Sequence, residues 1–233
     1  MYKDLSQWVA PPIPGHDPLI GARLRLEPLD ADHHAADLHR AFDGHDSLWD
    51  YMPYGPFTSA AAYHRWTKEM ASGTDPRFFV MRDLTTGHCG GIASFLRIAP
   101  SAGSIEVGHI CIAPELQKSA TATEAMFLMM QWAFDAGYRR YEWKCNAANL
   151  ASRRAAQRYG FSFEGVFRQA AVVKGRNRDT AWFSVIDGEW PALREAFLAW
   201  LAPANFGANG KQRERLSELT QLVRADDDPA LRR

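Results

Sequence analysis

EVGHICIAPELQKSATATEAMFLMMQWAFDAG, residues 106–137, changes its hydrophobic period halfway along. Up to Ile112 it reads as a strand. From Ala122 onward, Ala122, Ala125, Met126, Met129 and Ala133 recur at three- and four-residue steps, which predicts a helix, and Gly137 supplies its left-handed cap. Between the two lie small residues, Ser119, Ala120, Thr121 and Ala122, that pass directly into the helix. Small side chains let a ligand approach the backbone. The amide hydrogens of a first helical turn, helped by the helix dipole, suit a phosphate or pyrophosphate. An ordinary, tightly packed helix start has the same composition.

On the N-terminal side the sequence is rich in strands. RFFVMRD from Arg77, CGGIASFLRI from Cys89 and SIEVGHICIAP from Ser104 are separated by the turn residues Thr85-Thr86-Gly87 and Pro100-Ser101-Ala102-Gly103, which predicts an antiparallel meander. Before it, ARLRLEPL alternates Leu24 and Leu26 with Arg23, Arg25 and Glu27, as in a half-buried strand. Asp30 or Asp32 then caps a helix through about Phe42. An aromatic loop, LWDYMPYGPF, leads into a second helix from Ser59 to about Met70. On the C-terminal side, YEWKC alternates as a strand, Asn149 to Tyr159 reads as a short helix ended by Gly160, and FSFEGVFRQAAVV and TAWFSVID read as long strands. KGRNRD, from Lys174 to Asp179, is read as their turn, and an amphipathic helix from about Trp190 to Leu201 precedes a charged end. The order β-α-α-β-β-β-α-β-α-β-β predicts an α/β fold: a mixed, mostly antiparallel central sheet flanked by helices. Residues 1–20 are expected to form an extended arm, 21–187 the main domain and 188–233 a C-terminal helical extension and tail.

Composition narrows the function. Lys plus Arg equals Asp plus Glu at 27 each, so no global field draws the chain to nucleic acid or to an anionic membrane. No segment approaches the ~20 apolar residues that span a bilayer, and no basic start leads into an apolar run at the N-terminus. The three cysteines, Cys89, Cys111 and Cys145, are scattered and form no CxxC pair, which argues against a disulfide framework or a cysteine-built metal site. A cytoplasmic protein without a metal is expected. HExxH, GxGxxG and Walker patterns are absent.

Residues 106–165 resemble the acyl-coenzyme A-binding core of the GNAT superfamily of N-acetyltransferases, in the RimJ/RimL form that acetylates ribosomal-protein N-termini. Three spaced pieces carry the likeness: QKSATATEA from Gln117, NLAS from Asn149 and GFSFEG from Gly160. They stand where that family has its pyrophosphate loop, its NxxS helix start and its closing GFxxEG. The resemblance implies the GNAT acyl-coenzyme A N-acyltransferase fold, acetyl-coenzyme A as co-substrate and an amine acceptor, either a peptide N-terminus or a small molecule. It implies that Gln117, Lys118, Ser119, Ala120, Thr121, Ala122 and Thr123 hold the pyrophosphate. Ile110 and Ile112 would pair with the pantetheine as an added strand, and Asn149 and Ser152 would meet its far end. Two positions depart from the pattern. Ala120 replaces its first glycine, which a negative φ would tolerate. Ala156 stands where many members carry a tyrosine acid, and the RimJ/RimL likeness puts Ser152 in that role, beside the alternative of a hydroxyl that supports the helix start.

An amine acceptor must lose a proton, because an α-amino group has a pKa near ~8 and lysine near ~10.4. Glu106 and Glu164 are the candidate bases, with Glu106 preferred. Strict alternation puts Glu106, Gly108, Ile110 and Ile112 on one strand face and His109 on the other. An ion pair with an arginine is the competing role for Glu106. Trp49, Tyr51 and Tyr54 fall where the family shapes its acceptor pocket, although such a loop can equally pack its own aromatics. Lys174, Arg176 and Arg178 make a basic hairpin that reads as a solvated tip, with RNA attachment as the alternative. The function read here is direct acetyl transfer, with no covalent enzyme intermediate, by a protein that can act as a homodimer. The rival is a non-catalytic module of the same fold that binds or senses coenzyme A.

Overall fold

The computed structural model describes residues 4–232. Eight strands make one sheet: β1 (Leu19–Ile20), β2 (Leu24–Pro28), β3 (Arg77–Asp83), β4 (Cys89–Ala99), β5 (Ser104–Ile112), β6 (Arg140–Asn146), β7 (Ser162–Val173) and β8 (Arg176–Ile186). Their spatial order is β1-β2-β3-β4-β5-β6-β8-β7. β5 and β6 run parallel because a helix crosses over between them, and the other neighbours are antiparallel. This is the mixed, mostly antiparallel α/β sheet that the element order predicts.

Two buried clusters lie on opposite faces. Helices α1 (Ala31–Phe42) and α2 (Ala60–Ser72) cover one face, where Leu38, Phe42, Trp49, Tyr63, Phe78 and Ile92 meet. Helices α3 (Ala120–Asp135), α4 (Leu150–Arg158) and α5 (Trp190–Leu201) cover the other, with Met126, Met130, Tyr141, Phe183 and Phe197 at its heart. The caps are local: Asp30 accepts from the His33 amide and Ser59 from the Ala62 amide. Gly160 closes α4 at φ 87°.

Three features differ from the sequence reading. Of the arm at residues 1–20, the first three lie outside the described residues, as does residue 233; Leu19 and Ile20 add an edge strand to β2. The turn read across 174–179 shrinks to Lys174 and Gly175, since both take positive φ, 48° and 73°, the conformation that a two-residue hairpin needs. Third, the alternation of β5 breaks. Ile92 pairs with Cys111 and Ser94 with Gly108, so three steps on β5 oppose two on β4, and His109 sits at φ 51°. This is a β-bulge. It leaves Glu106 and Gly108 on the α1–α2 face, with Cys111, and turns Ile110 and Ile112 toward the α3 face. His109 joins Glu106's face, against Tyr54 and Phe78.

The chain after α5 folds back onto α4. Helix α6 (Leu216–Gln221) buries Leu216 and bonds Thr220 Oγ1 to the Arg158 carbonyl. Asp228, buried, accepts two 2.6 Å bonds from the Arg153 guanidinium.

Candidate active site

β5 and β6 stay paired only from Ser104 to Val107 and from Arg140 to Trp143. Beyond that point β6 follows β8 while β5, bent by its bulge, follows β4. The sheet splits, and a cavity of about 1480 Å³ opens at the split. Ile110 and Ile112 line it from β5, and Gln117, Lys118, Ser119, Ala120 and Ala122 from the start of α3. Trp143, Asn149 and Ser152 line it from the β6–α4 side.

The start of α3 is built to leave amides free. Ser119 caps the helix, its Oγ accepting from the Ala122 amide at 3.0 Å and donating to the Leu116 carbonyl at 2.6 Å. The Thr123 amide bonds back to the Ser119 carbonyl. Among the described residues, the amides of Lys118, Ala120 and Thr121 find no acceptor. These are the orphan donors of a helix N-terminus, and they suit a diphosphate. The left-handed residue of this loop is Lys118, φ 58°, whereas Ala120 lies outside that region, so its methyl group is tolerated. Thr121 and Thr123 turn away: Thr121 bonds to Asp83, and Thr123 bonds to the Ser119 carbonyl and receives Arg158.

Asn149 caps α4 by accepting from the Ser152 amide. Ser152 Oγ accepts the Trp143 indole N–H at 3.0 Å, which fixes the hydroxyl at the cavity wall. Burial pushes Cys111 up to about 12 and Cys89 up to about 11, and raises Cys145, which bonds to Ser152. None of these thiols is a ready nucleophile at neutral pH.

The candidate carboxylates lie apart from the cavity lining. Glu106 is 3% exposed and sits where β5 and β6 begin to part. Its carboxylate accepts from Arg97 at 2.6 Å and lies 3.0 Å from Lys144 Nζ. Burial raises its pKa against the lowering pull of both cations. Glu164 is held by both Arg140 terminal nitrogens and by Ser184 Oγ, and the hydrogen bonds from Arg140 lower its pKa. Of the aromatic loop, Tyr51 lines the cavity and its hydroxyl reaches the Ala148 carbonyl at 3.4 Å. Tyr54 stacks on His109 and bonds its Nδ1 at 2.9 Å. Trp49 is buried among Phe42, Phe57 and Tyr63 and does not reach the cavity. Burial drops His109 to about 4, so it is a neutral imidazole at pH 7.

The sequence reading missed the far wall. Arg23, Arg158, Trp200, Phe206 and the stretch from Gly210 to Arg215 also line the cavity. The one available signal was KQRER, at 211–215, a basic run in the tail. Among the described residues, no group of three or more His, Cys, Asp or Glu could hold a metal ion, and no helix is long and apolar enough to cross a membrane.

Comparison with known proteins agrees with this geometry. No curated protein matches the sequence. A GCN5-related N-acetyltransferase from Brucella melitensis is 44% identical, with a TM-score of 0.91 over 93% of this chain and 100% of that one. A protein described as a probable GNAT-family acetyltransferase from Chromobacterium violaceum is 41% identical, with a TM-score of 0.78 over 82% of this chain and 97% of that one. RimL, a ribosomal L7/L12 alpha-N-protein acetyltransferase, shares the fold alone, at 20% identity and a TM-score of 0.64, over 73% and 94% of the two chains. Residues 23–162 match the model of the acetyltransferase (GNAT) domain, and with that span added to the split sheet and the open start of α3, the chain belongs to the GNAT acetyltransferase family.

Proposed function

We propose that the protein transfers an acetyl group from acetyl-coenzyme A directly to a primary amine, either a protein N-terminal α-amine or a small-molecule amine. The observation that carries the reading is the cavity where β5 and β6 part, with free amides at the α3 start and the bent edge of β5 alongside. Acetyl-coenzyme A supplies a thioester, whose carbonyl carbon receives the amine. The α3 amides hold its pyrophosphate, and the β5 edge near Ile110 and Ile112 pairs with the pantetheine arm.

Glu106 takes the proton that the ammonium must lose, directly or through one water. Backbone amides of β5 beyond the bulge stabilise the charge that grows on the carbonyl oxygen. Ser152 returns a proton to the departing sulfur. Trp143 holds its oxygen at the cavity wall. Glu164, tied by Arg140 and Ser184, keeps a structural place in this scheme. Tyr51 and Tyr54 flank the acceptor side, and Trp49 supports them from the core.

One observation favours a second reading, a module that binds coenzyme A without turnover: the Glu106 carboxylate is held by two cations. A thiol-release assay over peptides and small amines, run beside a thermal-shift titration with acetyl-coenzyme A, separates the two. Turnover on any amine supports transfer. A thermal shift without turnover supports the module, and no shift removes both.

A further inference from the structure

The cavity does not end at the start of α3. It continues beneath the chain that follows α5, and six of its lining side chains, Arg23, Lys118, Arg158, Lys211, Arg213 and Arg215, are cationic while none is a carboxylate. Two of the six are balanced nearby, Arg23 by Glu124 at 3.4 Å and Arg215 by Glu218 at 3.8 Å. Among the described residues, Lys118, Arg158, Lys211 and Arg213 have no carboxylate partner. Unpaired cations gathered at a concave wall set up a field for a polyanion.

The loop that presents Lys211 and Arg213 is fastened from within. Asn205, 9% exposed, donates to the carbonyls of Trp200 and Glu214 and accepts from the Glu214 amide, while the Arg213 amide bonds to its carbonyl. The Trp200 indole donates to Gln212 Oε1 at 2.8 Å, and the Gly207 amide bonds to the Lys211 carbonyl. Beside the cations stands an aromatic pair: Trp200 and Phe206 meet edge to face at 5.2 Å, and the Arg158 guanidinium lies 5.0 Å from the Trp200 ring. Trp200 is buried and Phe206 half-buried, and both line the cavity, so cations and an aromatic edge meet on one wall, as a phosphorylated nucleoside requires.

We propose that residues 203–215 are a clamp for the nucleotide end of coenzyme A, with Lys211 and Arg213 on its 3′-phosphate and the Trp200–Phe206 pair beside its adenine. The inference rests on coenzyme A as the donor. The three free amides at the α3 start suit the pyrophosphate, and a third phosphate calls for further cations on the same wall. A phosphate monoester carries about −1.5 to −2 charge at pH 7 and pairs best with Arg and Lys. Among the described residues, none of the clamp side chains bonds to Glu106 or Ser152, so the clamp contributes binding and not chemistry.

The test is calorimetric titration of the full chain with coenzyme A and with 3′-dephospho-coenzyme A. Wild type is expected to prefer coenzyme A by about tenfold, equal to about 1.4 kcal/mol. Lys211→Ala combined with Arg213→Ala brings the two affinities within about twofold by weakening coenzyme A alone, and raises KM for acetyl-coenzyme A without lowering kcat. Asn205→Ala, which only unfastens the loop, moves both readings the same way. A preference that persists in the double variant overturns the clamp, as does equal weakening of both ligands. Wild type that binds both ligands equally also overturns the clamp while leaving the donor in place. Wild type that binds neither removes the donor reading as well.

Discussion

Replacing Asp228 by alanine tests how the tail holds α4. Asp228 is buried against Arg153, whose Nε and Nη2 each donate to it at 2.6 Å while Nη1 donates to the Ala147 carbonyl at 2.8 Å. The guanidinium lies 5.6 Å from the centre of the Phe163 ring, so a freed charge there has little water to turn to. Leaving one member of a buried pair uncompensated costs about 3–5 kcal/mol. In a chain of this length each kcal/mol moves Tm by about 2–4 °C, so Asp228→Ala should lower Tm by about 6–20 °C. The lower end applies where the tail detaches by itself. In that case the amides of Ala225 and Asp228, now bonded to Ser162 Oγ and Gln157 Oε1, exchange hydrogen as fast as a loop while α3 stays protected. The double variant Arg153→Met with Asp228→Leu should be more stable than either single one, since no charge is left buried. Thermal melts and native-state hydrogen exchange read both effects. A Tm for Asp228→Ala within about 1 °C of wild type, or a double variant that loses the sum of the single losses, refutes the reasoning.

Glu106→Gln should lower kcat by about a hundredfold or more while the affinity for acetyl-coenzyme A stays within about twofold, measured by thiol release and calorimetry; unchanged turnover removes Glu106 from the mechanism. His109 has its folded pKa at about 4, below the ordinary 6.5, so on acidification the unfolded chain takes up a proton before the native one does. Its contribution to stability is therefore whole above about pH 6.5 and is lost as pH falls toward 4, about 3 kcal/mol in all. His109→Asn, which tolerates the positive φ, should flatten that part of a urea-unfolding profile taken from pH 7 to 4, and an unchanged slope would show that the histidine is not buried neutral. Restoring the family glycine with Ala120→Gly should leave KM for acetyl-coenzyme A within about twofold and cost up to about 1 kcal/mol of helix stability, because Ala120 is not the left-handed residue. A large fall in KM would show that the methyl group obstructs the phosphate.

Much of the fold was legible because its signals are local. Asp30, Ser59, Ser119 and Asn149 cap the helices that follow them through bonds spanning three residues, and Gly160 stops α4 through its own φ. The bulge in β5 was not legible, since it is a relation between two strands: one extra residue is stored at His109, an L-residue in the left-handed region, with no glycine to announce it. That single step reversed the faces of His109, Ile110 and Ile112. The clamp at 203–215 was hidden for a similar reason. Its cations look like an ordinary charged tail until Asn205 and Gln212 fold the chain back over the cavity.

The same limit applies to Glu106, where the sequence left base and ion pair as alternatives. Side chains of β4, β5, β6 and β7 converge on one face into a row of three carboxylates, Glu106, Glu142 and Glu164, interleaved with three cations, Arg97, Lys144 and Arg140. Lys144 is 5% exposed, lies over the Trp182 ring and stands between two of the acids, 2.7 Å from Glu142 and 3.0 Å from Glu106. Their shifts run in opposite directions. Burial works on both, but bonds from Lys144 and Arg140 outweigh it at Glu142 and lower its pKa, whereas at deeply buried Glu106 desolvation prevails and raises it. A carboxylate shifted upward is the stronger base, and Lys144 and Arg97 oppose the upward push of burial. In the proposed transfer the two roles fall on one side chain: the carboxylate that pairs with Lys144 and Arg97 is the one proposed to accept the proton, and the Glu106→Gln kinetics decide between that and a purely structural pair.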